Sequence, residues 1–467
     1  MRKVNSYSSG RSFSRPSRFA EWCIVHLINE ELLFLMLCLS SGIIASTLPP
    51  YAGSRSLPRR SAYRGLRELI RANGRKKKRV VVAMSGGVDS SCAAALLKED
   101  GYEVIGVTMQ IWPSENLATA VDTLGGCCSL EAVQEARAVA GKLGIPHYVM
   151  NFRRVFEEKV IGDFCREYAR GRTPNPCIRC NQFIKFDALL MRAKALNADF
   201  IATGHYARIE PDPLANRFFL RKGVDPKKDQ SYVLYAMTQK SLQHTLMPLG
   251  RYTKEEVRQM ARQWRLPVAD RPESQEICFI PDDNYAAFVE KRIKEASQPG
   301  PILDRRGRKL GEHKGILFYT VGQRKGLGIS SSEPLYVVQI DREKNTLIVG
   351  REEDVYADEL EAEHVNYISK DHLKEPIQVR ARIRYNMEEA PATVSPLLNS
   401  RVRVRFSRPQ RAITPGQAVV FYQDDIVLGG GTIVCAARHG KEGGETDEGS
   451  EGWTGCYILR PSRSGGC

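Results

Sequence analysis

From Arg79 onward, short β-branched runs alternate with stretches of helical spacing. Residues 79–84 (RVVVAM) form an unbroken apolar run, the pattern of a strand buried on both faces of a parallel sheet. A Gly/Ser turn at 85–91 (SGGVDSS) leads into 92–99 (CAAALLKE), which predicts a helix. A strand is predicted over 102–111, a helix over 130–144 with Ser129 as N-cap and Gly144 as stop, and a strand over 146–152. A helix over 153–170 and a strand over 199–207 (DFIATGHYA) continue the alternation. That order predicts an α/β fold, a doubly wound parallel sheet with helices on both faces and ligands at the carboxyl ends of the strands.

The rhythm is lost after residue 244. A helix over 254–265 is followed by Pro/Gly-rich turns and by YTVGQRKGLGI (319–329), which suggests a small central domain. Over 335–435 short alternating strands with turns predict a β-barrel. The division expected is 79–244 for a nucleotide-binding catalytic domain, 245–330 for the central domain and 331–435 for the barrel, with extensions at 1–78 and 436–467. Two barrel strands carry charged faces: Arg380, Arg382 and Arg384 alternate with apolar residues, as do Arg401, Arg403 and Arg405. Period-two spacing puts each set on one side of its strand. Six like charges without balancing acids within either stripe predict a face that binds nucleic-acid phosphates.

Charge changes that picture only locally. The chain has 467 residues with 69 Lys+Arg against 54 Asp+Glu, a net charge of +15, and its 42% hydrophobic content excludes wholesale disorder. Residues 1–79 hold 16 Lys+Arg against 4 acids, so the rest of the chain is close to neutral and must bind a polyanion through local patches. Residues 1–20 are rich in Ser and Arg and contain no acid, the composition of an organellar import segment, with chloroplast favoured over mitochondrion. The apolar stretch 32–45 is interrupted by Ser40, Ser41 and Gly42 and falls short of the roughly 20 residues that span a bilayer, so no membrane association is expected. The Gly/Glu/Ser-rich end reads as a tail.

SGGVDSS stands where a strand meets its helix. Gly86 and Gly87 let the backbone turn and approach a ligand, and a helix N-terminus supplies unpaired N–H groups and a positive dipole. Ser85, Ser90 and Ser91 can donate to phosphate oxygens, and Asp89 can orient the loop or help hold Mg2+. Neither GxxxxGK[ST] nor GxGxxG is present.

The twelve cysteines are too sparse for a disulfide scaffold. Cys23, Cys38, Cys456 and Cys467 lie in the flanks, and Cys92 and Cys165 sit in apolar helical patterns as small core residues. The segment 171–186 (GRTPNPCIRCNQFIKF) is more informative. Pro174 and Pro176 oppose helix before it, and Asn181 can cap the helix that begins there. Cys180 then lies at a helix N-terminus beside Arg179 and Lys185, a setting that favours a reactive thiolate. Cys278 lies in a second Pro-bounded segment, 271–281 (RPESQEICFIP), with no paired ligand that would make a zinc site.

These blocks carry a resemblance. SGGVDSS resembles the PP-loop of ATP pyrophosphatases, which adenylate an oxygen. Together with GGCCSLE (125–131), GRTPNPCIRCNQFIKF, ATGHYAR (202–208), KDQSYVLY (228–235), ESQEICFI (273–280), YTVGQRKGLGI and TPGQAVVFY (414–422), it resembles the tRNA-specific 2-thiouridylase family. The resemblance implies that ATP, held by Ala83, Met84, Ser85, Gly86, Gly87, Val88, Asp89 and Ser90 with Met109 and Gly204, adenylates C2 of the wobble uridine. Cys278 would carry a persulfide received from a cysteine desulfurase or sulfur-relay protein, and Cys180 would be its partner thiol, attacking the persulfide and either releasing sulfide or forming a disulfide with Cys278. Asn175, Pro176 and Cys177 match the target-base loop; Lys228, Asp229, Gln230, His205, Arg384, Tyr385 and Gln417 match tRNA contacts. Many bacterial members have Asp where this chain has Cys177. With Cys180 and Cys278 it makes three thiols, the ligand set of a sulfur-carrying 4Fe-4S cluster, so a cluster mechanism competes with the persulfide. Two other readings are a PP-loop amide-forming ligase, which would not need the cysteines, and an RNA-binding protein without catalysis. Cys127 and Cys128 receive no role.

Overall fold

The computed structural model describes residues 77–111, 130–212, 216–272, 277–280, 284–293 and 297–437. The expected import segment, the stretch 32–45, Ser129, the Cys127–Cys128 pair and residues 438–467 of the expected tail lie outside the described residues.

Strand β1 (Arg79–Ala83) is the centre of the first sheet, and Val80, Val81 and Val82 are wholly buried. Helix α1 (Val88–Glu99) follows, then β2 (Glu103–Gln110), α2 (Leu130–Leu143) and β3 (His147–Asn151). Next come α3, made of the consecutive stretches Arg153–Phe156, Glu157–Ile161 and Gly162–Ala169, and α4, made of Pro176–Arg179, Cys180–Ala188 and Leu189–Ala195. Strand β4 (Phe200–Ala202) returns beside β1. The predicted strand over 199–207 is therefore only three residues long in this sheet. The chain leaves at Thr203, and Gly204 passes so close to α1 that a Cβ there would lie 2.7 Å from the Asp89 carbonyl carbon.

Residues beyond that turn form the hairpin β5 (Ala207–Asp212) and β6 (Arg217–Lys222), which does not join the first sheet. Strand β7 (Thr245–Leu246) does, giving a parallel sheet of order β3-β2-β1-β4-β7. Helix α5 (Lys254–Gln263) packs on α1: Val257 and Ala261, one turn apart, lie in one core with Cys92, Ala93 and Leu97. The segment expected to open the central domain thus completes the first one.

Helix α6 (Tyr285–Glu290) precedes a second sheet of β8 (Gly300–Asp304), β9 (Lys309–His313), β10 (Tyr336–Asp341) and β11 (Thr346–Gly350), in the order β10-β11-β8-β9. Its core holds Ile302, Val337, Leu347 and Val349. The expected boundary at 330/331 would cut this sheet in two. Short hairpins read alike in a sequence, and only pairing of β11 with β8 assigns them here.

The last six strands are β12 (Tyr356–Tyr367), β13 (Ile377–Arg382), β14 (Ala390–Leu397), β15 (Arg401–Arg411), β16 (Ala418–Gln423) and β17 (Ile426–Ala437). Pairing of β12 with β17 closes them into a barrel filled by alternating apolar side chains such as Val402, Val404 and Phe406. Strand β6 hydrogen-bonds to β17, so the hairpin from the first segment extends the barrel's sheet.

Candidate active site

The turn after β1 has the shape of a phosphate cradle. Gly86 has φ +74°, and a Cβ there would lie 2.5 Å from the Ala132 carbonyl oxygen on α2, so only glycine fits. Gly87 is extended and forms the N-cap of α1 without a side-chain cap, which leaves first-turn N–H groups available to an anion. The serines fix the loop from inside. Ser85 N–H donates to Ser90 Oγ (3.1 Å), while Ser90 Oγ (3.2 Å) and Ser91 Oγ (2.8 Å) donate to the Gly87 carbonyl. Ala83, Met84 and Val88 are buried beneath the loop, and Thr108 Oγ1 donates to the Met84 carbonyl at 2.9 Å. Met109 is half-buried near the carboxyl end of β2. Gly204 seats the turn after β4 on the first turn of α1.

Asp89 departs from expectation. Both carboxylate oxygens accept from Lys254 Nζ (2.7 and 2.8 Å), and Oδ1 also accepts from the Tyr206 hydroxyl at 2.7 Å. In this arrangement the carboxylate is a poor fit for a magnesium ligand, because both oxygens already serve a cation.

The two cysteine segments meet the same helix. The N-cap of α4 is Asn175, not Asn181: its Oδ1 accepts from Cys177 N–H at 3.1 Å, and Pro176 occupies the first helical position. Proline is favoured there because that N–H needs no partner within the helix. Cys180 therefore lies inside the helix, half-buried, with Cys177 exposed one turn earlier. Asn181 is buried and donates to the Val233 carbonyl at 3.0 Å. Arg179 Nε pairs with Asp163 of α3 at 3.1 Å. Cys278, also half-buried, precedes Phe279, whose ring packs edge-on against Phe164 (5.3 Å) and Phe156 (5.7 Å) of α3. Adjacent residues of α3, Asp163 and Phe164, thus anchor the two segments. Arg271, which begins the Cys278 segment, donates to the Gly86 carbonyl at 3.2 Å and pairs with Glu135 of α2.

Among the described residues no three or more Cys, His, Asp or Glu side chains come together to hold a metal ion, and Cys177, Cys180 and Cys278 are all among them. They do not form a cluster site in this structure. Cys92 and Cys165 are buried in the core; burial pushes their thiols up to about 12 and about 11.

The residues expected to contact tRNA take several places. Gln417 Nε2 donates to the Thr173 carbonyl at 2.8 Å, and Thr173 N–H donates to the Pro415 carbonyl at 2.8 Å, so the turn before β16 braces the loop that leads to Cys177. Asp229 is buried, accepting from Gly223 N–H and Ser231 N–H, while Gln230 Oε1 accepts from Tyr206 N–H; Lys228 precedes them, half-buried. His205 is buried, with Nδ1 2.8 Å from Thr203 Oγ1. Burial and the neighbouring Lys185 cation hold its pKa well below the ordinary value, so it is neutral. Arg384 donates to the Ala412 carbonyl and to Thr414 Oγ1, and the Tyr385 ring lies edge-on to Tyr232.

The two arginine stripes are not a bare cationic face. Arg403 and Arg405 pair with Glu359, and Arg401 and Arg403 with Glu361. Arg380 pairs with Glu389 and Arg382 with Asp229. The acids lie on other strands and turns, at the same period-two spacing in the case of Glu359 and Glu361 on β12, so the sequence of either striped strand hides them.

Lys254, Tyr206, Arg271 and Asp163 escaped the sequence reading. One signal was present: Lys254 stands at the first position of a helix, where the dipole disfavours a cation.

No helix among the described residues is long and apolar enough to cross a membrane. Three family models match in succession: a tRNA methyl transferase HUP domain over 78–282, a tRNA methyl transferase PRC-barrel domain over 286–351 and an aminomethyltransferase beta-barrel domain over 357–433. Relatives include the tRNA-specific 2-thiouridylase MnmA 1 of Thermoanaerobacter sp. (strain X514), 57% identical over 364 residues, which are 78% of this chain and 100% of the relative. The tRNA-specific 2-thiouridylase MnmA of Acetivibrio thermocellus is 55% identical over 357 residues, 76% of this chain and 99% of its own. A solved 4-thiouridine synthetase–RNA complex with bound ATP overlaps 47% of this chain and 51% of its own at 15% identity and a TM-score of 0.30, a partial overlap that adds nothing to the assignment. On its identity to full-length relatives, the chain belongs to the tRNA-specific 2-thiouridylase family.

Proposed function

We propose that the protein is an ATP-dependent tRNA sulfurtransferase that converts the wobble uridine to 2-thiouridine in an organelle. Thiolation of tRNA is the activity its relatives are named for. ATP occupies the cradle of Ser85, Gly86, Gly87 and Ser90; the C2 oxygen of the uridine attacks its α-phosphate, pyrophosphate leaves, and the oxygen becomes part of a good leaving group. A persulfide on Cys278, loaded by a sulfur-donor protein, supplies the sulfur. As the Cys180 thiolate bonds to the Cys278 Sγ, the persulfide S–S bond breaks, the terminal sulfur adds to C2 and AMP departs. An external thiol then reduces the Cys180–Cys278 disulfide. Both thiols must be reachable and the base must leave its stack, because C2 is covered in a stacked anticodon.

The observation that carries this reading is the convergence of three pieces. Arg271 links the Cys278 segment to the phosphate loop, and α3 anchors both cysteine segments through adjacent residues. For the organellar setting, the support is the Ser/Arg-rich start without acids, which precedes the first residue matched by the family models.

The test is reconstitution with unmodified tRNA, ATP, Mg2+ and a cysteine desulfurase with cysteine, followed by mass spectrometry of the nucleosides. 2-Thiouridine is expected, with its formation abolished by Cys180→Ser or Cys278→Ser. ATP cleavage without thiolation, or full activity in either variant, would overturn the sulfur-transfer reading.

A further inference from the structure

We propose that Lys254 is a positioning residue that neutralises Asp89, leaving the phosphate loop free to take the triphosphate without using Asp89 as a metal ligand. This rests on the reading of SGGVDSS as an ATP loop.

Asp89 lies in the first turn of α1, two residues past the Gly87 cap, at the edge of the cradle. An uncompensated carboxylate there would oppose a polyanion across a few ångströms of partly desolvated space. The fold meets it with a charge from 165 residues away. Lys254 Nζ contacts both oxygens, its side chain is only 11% exposed, and the Tyr206 hydroxyl completes the set. The lysine is placed there against local preference. It is the first residue of α5, inside a Thr253–Glu256 capping box, in a turn that otherwise holds Glu255 and Glu256. Two contacts hold the backbone around this pair in place. Cys92 Sγ donates to the Val257 carbonyl, fixing α5 on α1, and the Gly204 backbone closes the other side. A local rule broken at such a place is expected where a neighbouring site needs the charge.

The test is calorimetric titration of the full chain with ATP, with and without Mg2+, for the wild type, Lys254→Met, Asp89→Asn and the double variant. Lys254→Met is expected to weaken ATP binding about tenfold by leaving the carboxylate unpaired. Asp89→Asn should not weaken it, because it leaves a cation and no carboxylate beside the cradle, and the double variant should bind ATP more tightly than Lys254→Met alone. In turnover, Lys254→Met should raise the KM for ATP more than it lowers kcat, and Lys254→Arg should restore much of the loss. If Lys254→Met fails to fold, the double variant and Lys254→Arg, both charge-balanced, carry the comparison against Asp89→Asn. The proposal is overturned if Asp89→Asn abolishes the Mg2+ dependence of binding, or if the double variant binds ATP no better than Lys254→Met alone. Absence of ATP binding by the wild type would instead overturn the reading of the loop itself, and this proposal with it.

Discussion

Arg271 donates to the Gly86 carbonyl at 3.2 Å, so the segment that carries Cys278 starts on the underside of the phosphate loop. The same guanidinium pairs with Glu135, which joins α2 to the contact. The phosphate loop and the start of the Cys278 segment are thus held on one frame rather than on two independent loops. Arg271→Met should lower thiolation more than ATP affinity, because the loop keeps its serine bonds while the Cys278 segment loses its tether. The measurement is single-turnover thiolation beside ATP titration; equal losses in both would contradict it. Leaving Glu135 without its partner should also cost about 1–3 kcal/mol of stability, readable in urea unfolding.

Gly204 is the second pressure point on the loop. A methyl group there would lie 2.7 Å from the Asp89 carbonyl carbon and 2.8 Å from Ser90 N, and both are backbone atoms that cannot rotate away. Gly204→Ala should displace the start of α1 or the turn after β4, at a cost of about 1–3 kcal/mol. ATP binding should fall with it. A variant of unchanged melting temperature and ATP affinity would show that the turn yields easily.

The barrel arginines should behave as structure. Glu359 is almost wholly buried and serves both Arg403 and Arg405, so Arg403→Glu places two carboxylates together and should destabilise the protein by about 3 kcal/mol. Arg324 and Lys325, by contrast, are exposed on the turn after Thr320 and make no ion pair among the described residues. Replacing both by Ala should leave the melting temperature unchanged and reduce the magnitude of the salt dependence of tRNA binding by about 1.4–1.8 units of slope. The opposite pattern, with Arg403 governing the slope, would restore the striped strands as the tRNA face.

Two buried histidines and a half-buried one set an acid limit. Burial holds the pKa of His205 well below the ordinary value, and His147 and His313 are shifted in the same direction. Each binds a proton less readily in the folded protein than in the unfolded chain, which takes one up below pH about 6.5, so its contribution is complete above that pH and is lost as pH falls. Each should add at most about 1.4 kcal/mol per pH unit to the slope of stability between pH 6.5 and 5. Urea midpoints across pH 8 to 5 test this, and His205→Gln should flatten the curve. An unchanged slope would mean that His205 is charged in the folded state.

Much of the site was legible in one dimension. The β-branched run before SGGVDSS, the two glycines and the helix after them follow from local sterics and spacing, and the structure places them as a strand, a cradle and α1. The cysteine segments were legible as Pro-bounded breaks, although the cap at Asn175 was misplaced to Asn181, because proline's fitness for the first helical position was weighed only as opposition to helix.

What the sequence determined by itself is the set of local conformations and the blocks that define the family, since both depend on residues close together in the chain. Tertiary structure alone decided the partners. Lys254 meets Asp89 across 165 positions, and Glu361 meets Arg401 across 40. The assignment of β10 and β11 to the central sheet, and of α5 to the first core, rests equally on long-range pairing. Charge is a local property of a sequence, but its effect is set by what lies across the gap in space. That is why five of the six arginines that read as a phosphate-binding face turned out to be paired with acids, and why an aspartate that read as a candidate magnesium ligand turned out to be held by a lysine.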